Sequence, residues 1–269
     1  MTNIRQVFGE LRARSEGALI GYVMAGDPTA EYTPLIAEAL IKGGVDILEL
    51  GLPFSDPIAD GPTIQAASVR ALASGTTPRN VLEIARKIKQ KHDIPIVIMT
   101  YYNPIFKMGL EEFLNLAKAC SVDGLVIPDL PIEEAQEYGE KAKEYGIDTV
   151  FLAAPSTSPA RLSKIIACTS GFLYLVSRFG VTGERTRVED STIQLVEKVL
   201  PFTKDLIPLV VGFGISKPEH VRSIIGAGAE GVVVGSAFVN TIQENSGDIL
   251  KIAKELTDLA SRLKEATKY

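Results

Sequence analysis

Glu49 stands inside an otherwise apolar run, Asp46-Ile47-Leu48-Glu49-Leu50-Gly51. A carboxyl carried into a dry strand has its charged form disfavoured, so its pKa rises and it can give up a proton and take it back near neutral pH. The alternative for such a residue is a structural ion pair with Arg or Lys. The loop that follows runs from Pro53 to Pro62, is stiffened by Pro53, Pro57 and Pro62, and carries Asp56 and Asp60. A rigid loop can hold Asp60 near Glu49 as a second carboxylate, although an Asp before Gly-Pro also serves as a turn or helix-cap residue.

Further along, Gly212-Phe213-Gly214-Ile215-Ser216 and Val234-Gly235-Ser236 each follow an apolar run. Glycines let the backbone approach a ligand, and the first amides of a helix together with a serine hydroxyl suit a phosphate. Tight turns are the alternative for either loop. The polar, glycine-bearing stretch Ser177 to Arg187 is long enough to act as a lid or to be only a surface loop. Tyr174 could pack in the core or aim its hydroxyl at a ligand. Metal-dependent aldol chemistry is disfavoured, because His92 and His220 are the only histidines and neither lies at an expected strand end. Schiff-base chemistry needs a lysine in a strand, and no apolar run holds one.

These residues need a frame. Short apolar runs recur from Ala18 onward: ALIGYVMA, DILELG, IPIVIMT, DGLVIP, DTVFLAA, GFLYLVS, IPLVVG and GVVVG. Runs apolar almost throughout suit parallel strands covered on both faces. Helical patterns separate them, including Pro34 to Ile41, Thr63 to Ser74, the stretch from Val81 to Asp93, and Glu133 to Tyr145. Further helices are expected over 2–15 and over 247–267, the latter with Ile249, Ile252, Leu256, Leu259 and Leu263 on one face. An eight-stranded β/α barrel follows, and its chemistry belongs at the C-terminal strand ends. An open doubly wound sheet is weakened by GDPTAEY standing where a GxGxxG turn would be.

The chain has 269 residues, 46% hydrophobic and 23% charged, enough for a large core in one barrel domain. A net charge of −5 argues against nucleic acid or an anionic membrane as partner. Cys120 and Cys168, without CxxC spacing, read as ordinary buried thiols. The charged N-terminal stretch has no apolar signal core and no run is long enough to span a membrane, so a cytoplasmic location is expected.

The stretch LELGLPFSDPIADGPTIQ at 48–65 closely resembles the signature of tryptophan synthase alpha subunits. The likeness continues through AGDP at 25–28, MTYYNPIF at 99–106, DGLVIPDLP at 123–131, LVSRFGVTG at 175–183, GFGIS at 212–216 and GSAFV at 235–239. It implies a (β/α)8 TIM barrel with extra helices at the N-terminus, after the second strand and at the C-terminus, as one domain over 1–269. It also implies a lyase that cleaves indole-3-glycerol phosphate into indole and glyceraldehyde 3-phosphate in tryptophan biosynthesis. By the same resemblance, Glu49 is the general acid/base, Asp60 faces the indole nitrogen and Tyr174 assists. Phosphate would be held by Gly183, Phe213, Gly214, Gly235 and Ser236. Tyr22, Met99 and Tyr101 would line the indole pocket, and Thr182 would pack a closed lid against Asp60. No cofactor is implied in this chain. The partner would be a pyridoxal-phosphate beta subunit in an alpha2-beta2 heterotetramer, facing the loops at 53–60 and 178–190. Gly21, Met24 and Phe179 depart from the common pattern, at positions without a proposed catalytic role.

Overall fold

The computed structural model describes residues 2–176, 185–212 and 214–269, with the side chains of 185–190 outside the description. In chain order the elements are α1 (Ile4–Ala13), β1 (Ala18–Met24), α2 (Thr33–Lys42), β2 (Ile47–Gly51), α3 (Pro62–Ala73), α4 (Pro78–Lys89) and β3 (Ile96–Met99). There follow α5 (Tyr102–Met108), α6 (Leu110–Ala119), β4 (Gly124–Val126), α7 (Gln136–Tyr145), β5 (Asp148–Val150), β6 (Leu152–Ala153), α8 (Pro159–Cys168) and β7 (Leu173–Val176). The chain ends with α9 (Arg185–Thr203), β8 (Leu209–Gly212), α10 (Pro218–Gly226), β9 (Gly231–Val234), α11 (Ser236–Glu244) and α12 (Ile249–Glu265).

All strand pairs are parallel, in the order β5-β4-β3-β2-β1-β9-β8-β7-β6. Only Phe151 separates β5 from β6, so the two ends of that series are successive parts of one stretch, and Tyr174 N donates to Phe151 O at 3.0 Å across the closure. The eight expected runs therefore form the eight staves of a barrel. The fifth turns from β4 to β7 at its middle, which divides it in two.

Alternation along each stave divides the apolar residues between two cores. On β1, Ala18, Ile20, Tyr22 and Met24 belong to the barrel interior, while Leu19 and Val23 pack outward against the helices. Ile4, Val7, Phe8 and Leu11 of α1 join the interior cluster, with Phe8 and Phe172 ring centroids 6.2 Å apart, so this amphipathic helix plugs the N-terminal end. Asn3 caps α1 by accepting from Gln6 N at 2.8 Å.

Two carboxylates clamp that same end. Asp46 Oδ2 accepts from Leu19 N at 2.8 Å and meets Lys264 Nζ at 2.9 Å; Asp123 Oδ2 accepts from Ile96 N at 2.7 Å and meets Lys89 Nζ at 2.8 Å. Lys264 comes from α12, whose buried face of Ile252, Leu256, Ala260 and Leu263 covers the barrel exterior beside α2.

Two expectations need correction. The helix expected from Glu133 begins instead at Gln136, because Glu134 N and Ala135 N close turns onto Pro131 O and Ile132 O. Cys120 is buried as expected, but Cys168 is exposed, since it ends α8 on the solvent side while Leu162 and Ile165 take the inner face. Among the described residues, no helix is long and apolar enough to cross a membrane.

Candidate active site

On β2 the alternation sends Leu48 and Leu50 outward to the helix layer and Ile47 into the barrel. Glu49 shares the inward parity of Ile47, and its register partner on β1 is the inward Tyr22. The side chain is fully buried, and neither carboxyl oxygen has a hydrogen-bond partner. The ion pair that was its alternative reading is absent among the described residues. Burial first, and the nearby charge of Asp60 second, push its pKa up to about 8.

Asp60 sits on a loop that the protein pins at several points. Phe54 N donates to Ser68 Oγ at 2.9 Å and Ser68 Oγ returns a bond to Phe54 O at 2.9 Å. Asp60 N closes a turn onto Pro57 O at 3.0 Å, and Ala59 N donates to Tyr101 Oη at 2.9 Å. The N-cap of α3 is Gly61, so the Asp60 carboxyl is not consumed as a cap. Burial raises the Asp60 pKa to about 6, while the Tyr101 hydroxyl, donating to it, holds it from rising further. Tyr101 thus bonds both the backbone of the loop and the Asp60 carboxyl, with its ring 5.4 Å from that of Phe54.

Two further phenols flank the carboxyls. Tyr22 and Tyr174 are buried, and burial followed by the charges of Asp60 and Glu49 lifts both well above the usual phenol range, so they remain neutral donors. Glycines make room for them: a Cβ on Gly51 would lie 2.2 Å from Tyr22 Oη, and one on Gly212 would lie 2.4 Å from Tyr174 Cε1. Gly212→Ala is therefore expected to displace the Tyr174 ring and cost about 1–3 kcal/mol through overpacking. Urea unfolding with near-ultraviolet circular dichroism checks this, and an unchanged midpoint and tyrosine signal would contradict it.

These groups meet at the C-terminal end of the barrel around a cavity of about 130 Å³. Tyr22, Asp60, Met99, Tyr174, Gly214, Gly235 and Ser236, all named as candidates above, line it, with Glu49 beside its wall. Ala59, Gly61, Ile64, Val126, Pro128, Leu152, Ile215 and Val233 line it as well, and sequence reading did not single them out as site residues. The signal for Val126, Leu152 and Val233 was their place at or near the ends of staves. Thr182, Gly183 and Phe213, and the Ser177–Arg187 lid apart from the backbone of α9, lie outside the described residues.

One side of the cavity carries backbone groups of a kind that suits an anion. Ser236 is the first residue of α11, and its N-cap, Gly235, has no side chain to satisfy the first amides of the helix. Gly214 adopts a left-handed φ of 72°, which turns the chain after β8 toward the same space. Among the described residues, no cluster of His, Cys, Asp or Glu could hold a metal ion. The arrangement offers a protonated carboxyl, an ionisable partner, neutral phenols and an anion cradle around an apolar slot.

Comparison with known proteins gives a consistent result. A family model described as tryptophan synthase alpha chain matches residues 8–268. The tryptophan synthase alpha chain of Methanosarcina acetivorans is 49% identical over 261 residues, covering 97% of this chain and 92% of that one. The alpha chain of Solibacter usitatus is 48% identical over 246 residues, covering 91% of each. Among solved structures, the tryptophan synthase α2β2 complex of Pyrococcus furiosus contains a chain with a TM-score of 0.82 and 42% identity, covering 93% of this chain and 98% of that one. Tryptophan synthase from M. tuberculosis, in its aminoacrylate-bound form, matches with a TM-score of 0.86 and 32% identity over 100% of both chains.

Proposed function

The chain belongs to the tryptophan synthase alpha chain family, and from that premise we propose that it cleaves indole-3-glycerol phosphate with Glu49 and Asp60 as its working pair. The products are indole and glyceraldehyde 3-phosphate. The observation that carries the residue assignment is the unpartnered Glu49 carboxyl, held to about pH 8 beside an Asp60 that ionises near 6. At pH 7 Glu49 holds a proton to give while Asp60 is ionised and can stabilise a positive charge, so environment alone divides the roles of two carboxyls.

An indole carbanion is a poor leaving group, so the ring must first become an electron sink. Glu49 protonates indole C3, and Asp60 stabilises the positive charge that develops at the ring N–H. The side-chain hydroxyl on the carbon attached to C3 then loses its proton to the Glu49 carboxylate. The carbon–carbon bond breaks, its electron pair returns to the ring, and the aldehyde leaves. The proton given to C3 and the proton taken from the hydroxyl balance, and Glu49 ends in its starting state. Tyr174 assists as a neutral donor beside Glu49. Tyr22 and Met99 hold the ring, while Gly214, Gly235 and Ser236 hold the phosphate, with Gly183 and Phe213 as further phosphate contacts and Thr182 closing against Asp60. This chemistry requires no cofactor in this chain. The partner is a beta chain that carries pyridoxal phosphate, in an alpha2-beta2 assembly facing the loop at 53–60, where Ile58 is 82% exposed. A cytoplasmic location and a single domain over 1–269 accompany this reading.

Two measurements test it. Purified chain with indole-3-glycerol phosphate should release indole, faster with a beta chain present; no release in either condition would refute the lyase reading. The pH profile of kcat/KM should be bell-shaped, rising as Asp60 ionises near pH 6 and falling as Glu49 loses its proton near pH 8. Tyr101→Phe removes the donor that restrains the Asp60 pKa, so the acidic limb should move to higher pH while the alkaline limb stays. A shift of the acidic limb the other way, or none, would remove Tyr101 from that role.

A further inference from the structure

Three segments that carry the site meet again, away from the cavity, on one guanidinium. Asp27 follows β1, which bears Tyr22; Arg70 lies in α3, which starts beside Asp60; Gln243 lies in α11, which starts at Ser236. Arg70 Nε and Nη2 donate to the two Asp27 carboxyl oxygens at 2.8 Å each, and Nη1 donates to Gln243 Oε1 at 3.2 Å. Asp27 is 1% exposed and the Arg70 side chain 29%, so the carboxylate is sealed in and the guanidinium covers it.

The surroundings leave the Asp27 segment little freedom. Gly26 O accepts from Ser74 Oγ at 3.1 Å, Gly26 N donates to Thr33 Oγ1 at 2.9 Å, and a Cβ on Gly26 would lie 1.9 Å from Thr76 Oγ1. Ala67 and Ala71 of α3 and Val239 of α11 are buried in the same interior cluster, where the small alanines allow close packing.

We propose that Arg70 is a positioning residue which, through Asp27 and Gln243, fixes the separation between the indole subsite at Asp60 and the phosphate subsite at Ser236. The proposal rests on the function proposed above. A guanidinium is planar and presents its donors in fixed directions, so holding both Asp27 oxygens orients the remaining nitrogen toward α11. A lysine would supply one point charge and lose that geometry. A substrate whose ring and phosphate are covalently joined senses the separation of the two subsites, because a misplacement of about 1 Å can cost on the order of 10²-fold in rate. Separate fragments do not sense it.

The test compares wild type, Arg70→Met, Arg70→Lys and Gln243→Leu, each with the beta chain. Calorimetric Kd values are measured for indole and for glycerol 3-phosphate separately, alongside kcat and KM for indole-3-glycerol phosphate. Fragment affinities should stay within about twofold. The kcat/KM should fall about tenfold in Arg70→Met, mainly in kcat, with partial recovery in Arg70→Lys and a smaller loss of the same kind in Gln243→Leu. Gln243 is exposed, and its substitution leaves the Asp27 pair intact, so it decides the matter if Arg70→Met does not fold. Fragment binding that weakens in step with turnover, or turnover unchanged in the variants, would overturn the proposal while wild-type activity upholds the function. An inactive wild-type complex would overturn both.

Discussion

Glu49→Gln is expected to lower indole release by about 10²–10⁴-fold and, in the same molecule, to make the fold more resistant to urea. The first effect follows because an amide cannot deliver the proton to C3. The second follows from linkage. The Glu49 pKa is about 8 in the folded state against an ordinary value of 4.5. Below 4.5 both folded and unfolded chains hold the proton, and the raised pKa costs nothing. Between 4.5 and 8 the unfolded chain releases a proton that the fold retains, so stability is lost as pH rises and the loss is complete above 8. At pH 7 the loss is about 3 kcal/mol, since each pKa unit is worth about 1.4 kcal/mol. Glutamine has the same shape and does not titrate, so its gain should be near zero at pH 4.5 and largest at pH 8. Urea midpoints at the two pH values, set beside turnover, give the answer. A variant that keeps its activity removes Glu49 as the proton donor, and one whose stability advantage is flat with pH shows that the wild-type carboxyl is not held neutral.

Lys264→Met should do the reverse, costing stability while sparing catalysis. The ammonium lies 2.9 Å from Asp46 Oδ2 and 3.1 Å from Glu16 Oε2, and donates to Gly17 O at 3.2 Å; all three side chains are less than one-fifth exposed. Burial already raises the Asp46 pKa despite this cation. Removing the cation leaves a buried acid without its charge partner at the barrel's N-terminal end, a loss of about 3 kcal/mol. The active end is built at the other face, so kcat of the folded protein should change by less than about twofold. Urea unfolding at pH 7 and turnover well below the melting temperature separate the two quantities. An unchanged midpoint would show the clamp to be unimportant, and a large fall in kcat would show that the two ends are coupled.

The contrast between these variants shows what was legible in the sequence. Glu49 could be found because a carboxylate in an apolar run violates local pattern, and violations of that kind concentrate where function overrides stability. Asp60 was legible through its stiff loop, but whether it capped α3 could not be decided until Gly61 was seen in that place. The eight staves were legible because runs buried on both faces need no knowledge of tertiary contacts. The division of the fifth at Phe151 was not, since it depends on two neighbours distant in the chain. Tyr101 was expected to line the indole pocket; that its hydroxyl also ties down the loop carrying Asp60 was not legible, because residue type does not say which of several neighbours a hydroxyl will bond. Arg70 gave no signal at all: an arginine in a helix reads as a solvated charge, and its partners Asp27 and Gln243 come from other elements. Cys168 was misread because cysteine type favours burial while its place on α8 faces outward.

The plug that α1 makes at the N-terminal end has a consequence for traffic. With Ile4, Val7, Phe8 and Leu11 filling that end, the barrel is a cup rather than a pipe. Whatever enters past Asp60 and Ser236 must leave by the rim it crossed, and cannot drain along the axis. Under the proposed cleavage, indole would have to exit over the same rim that admits its precursor, so a beta chain receiving it would have to reach that rim.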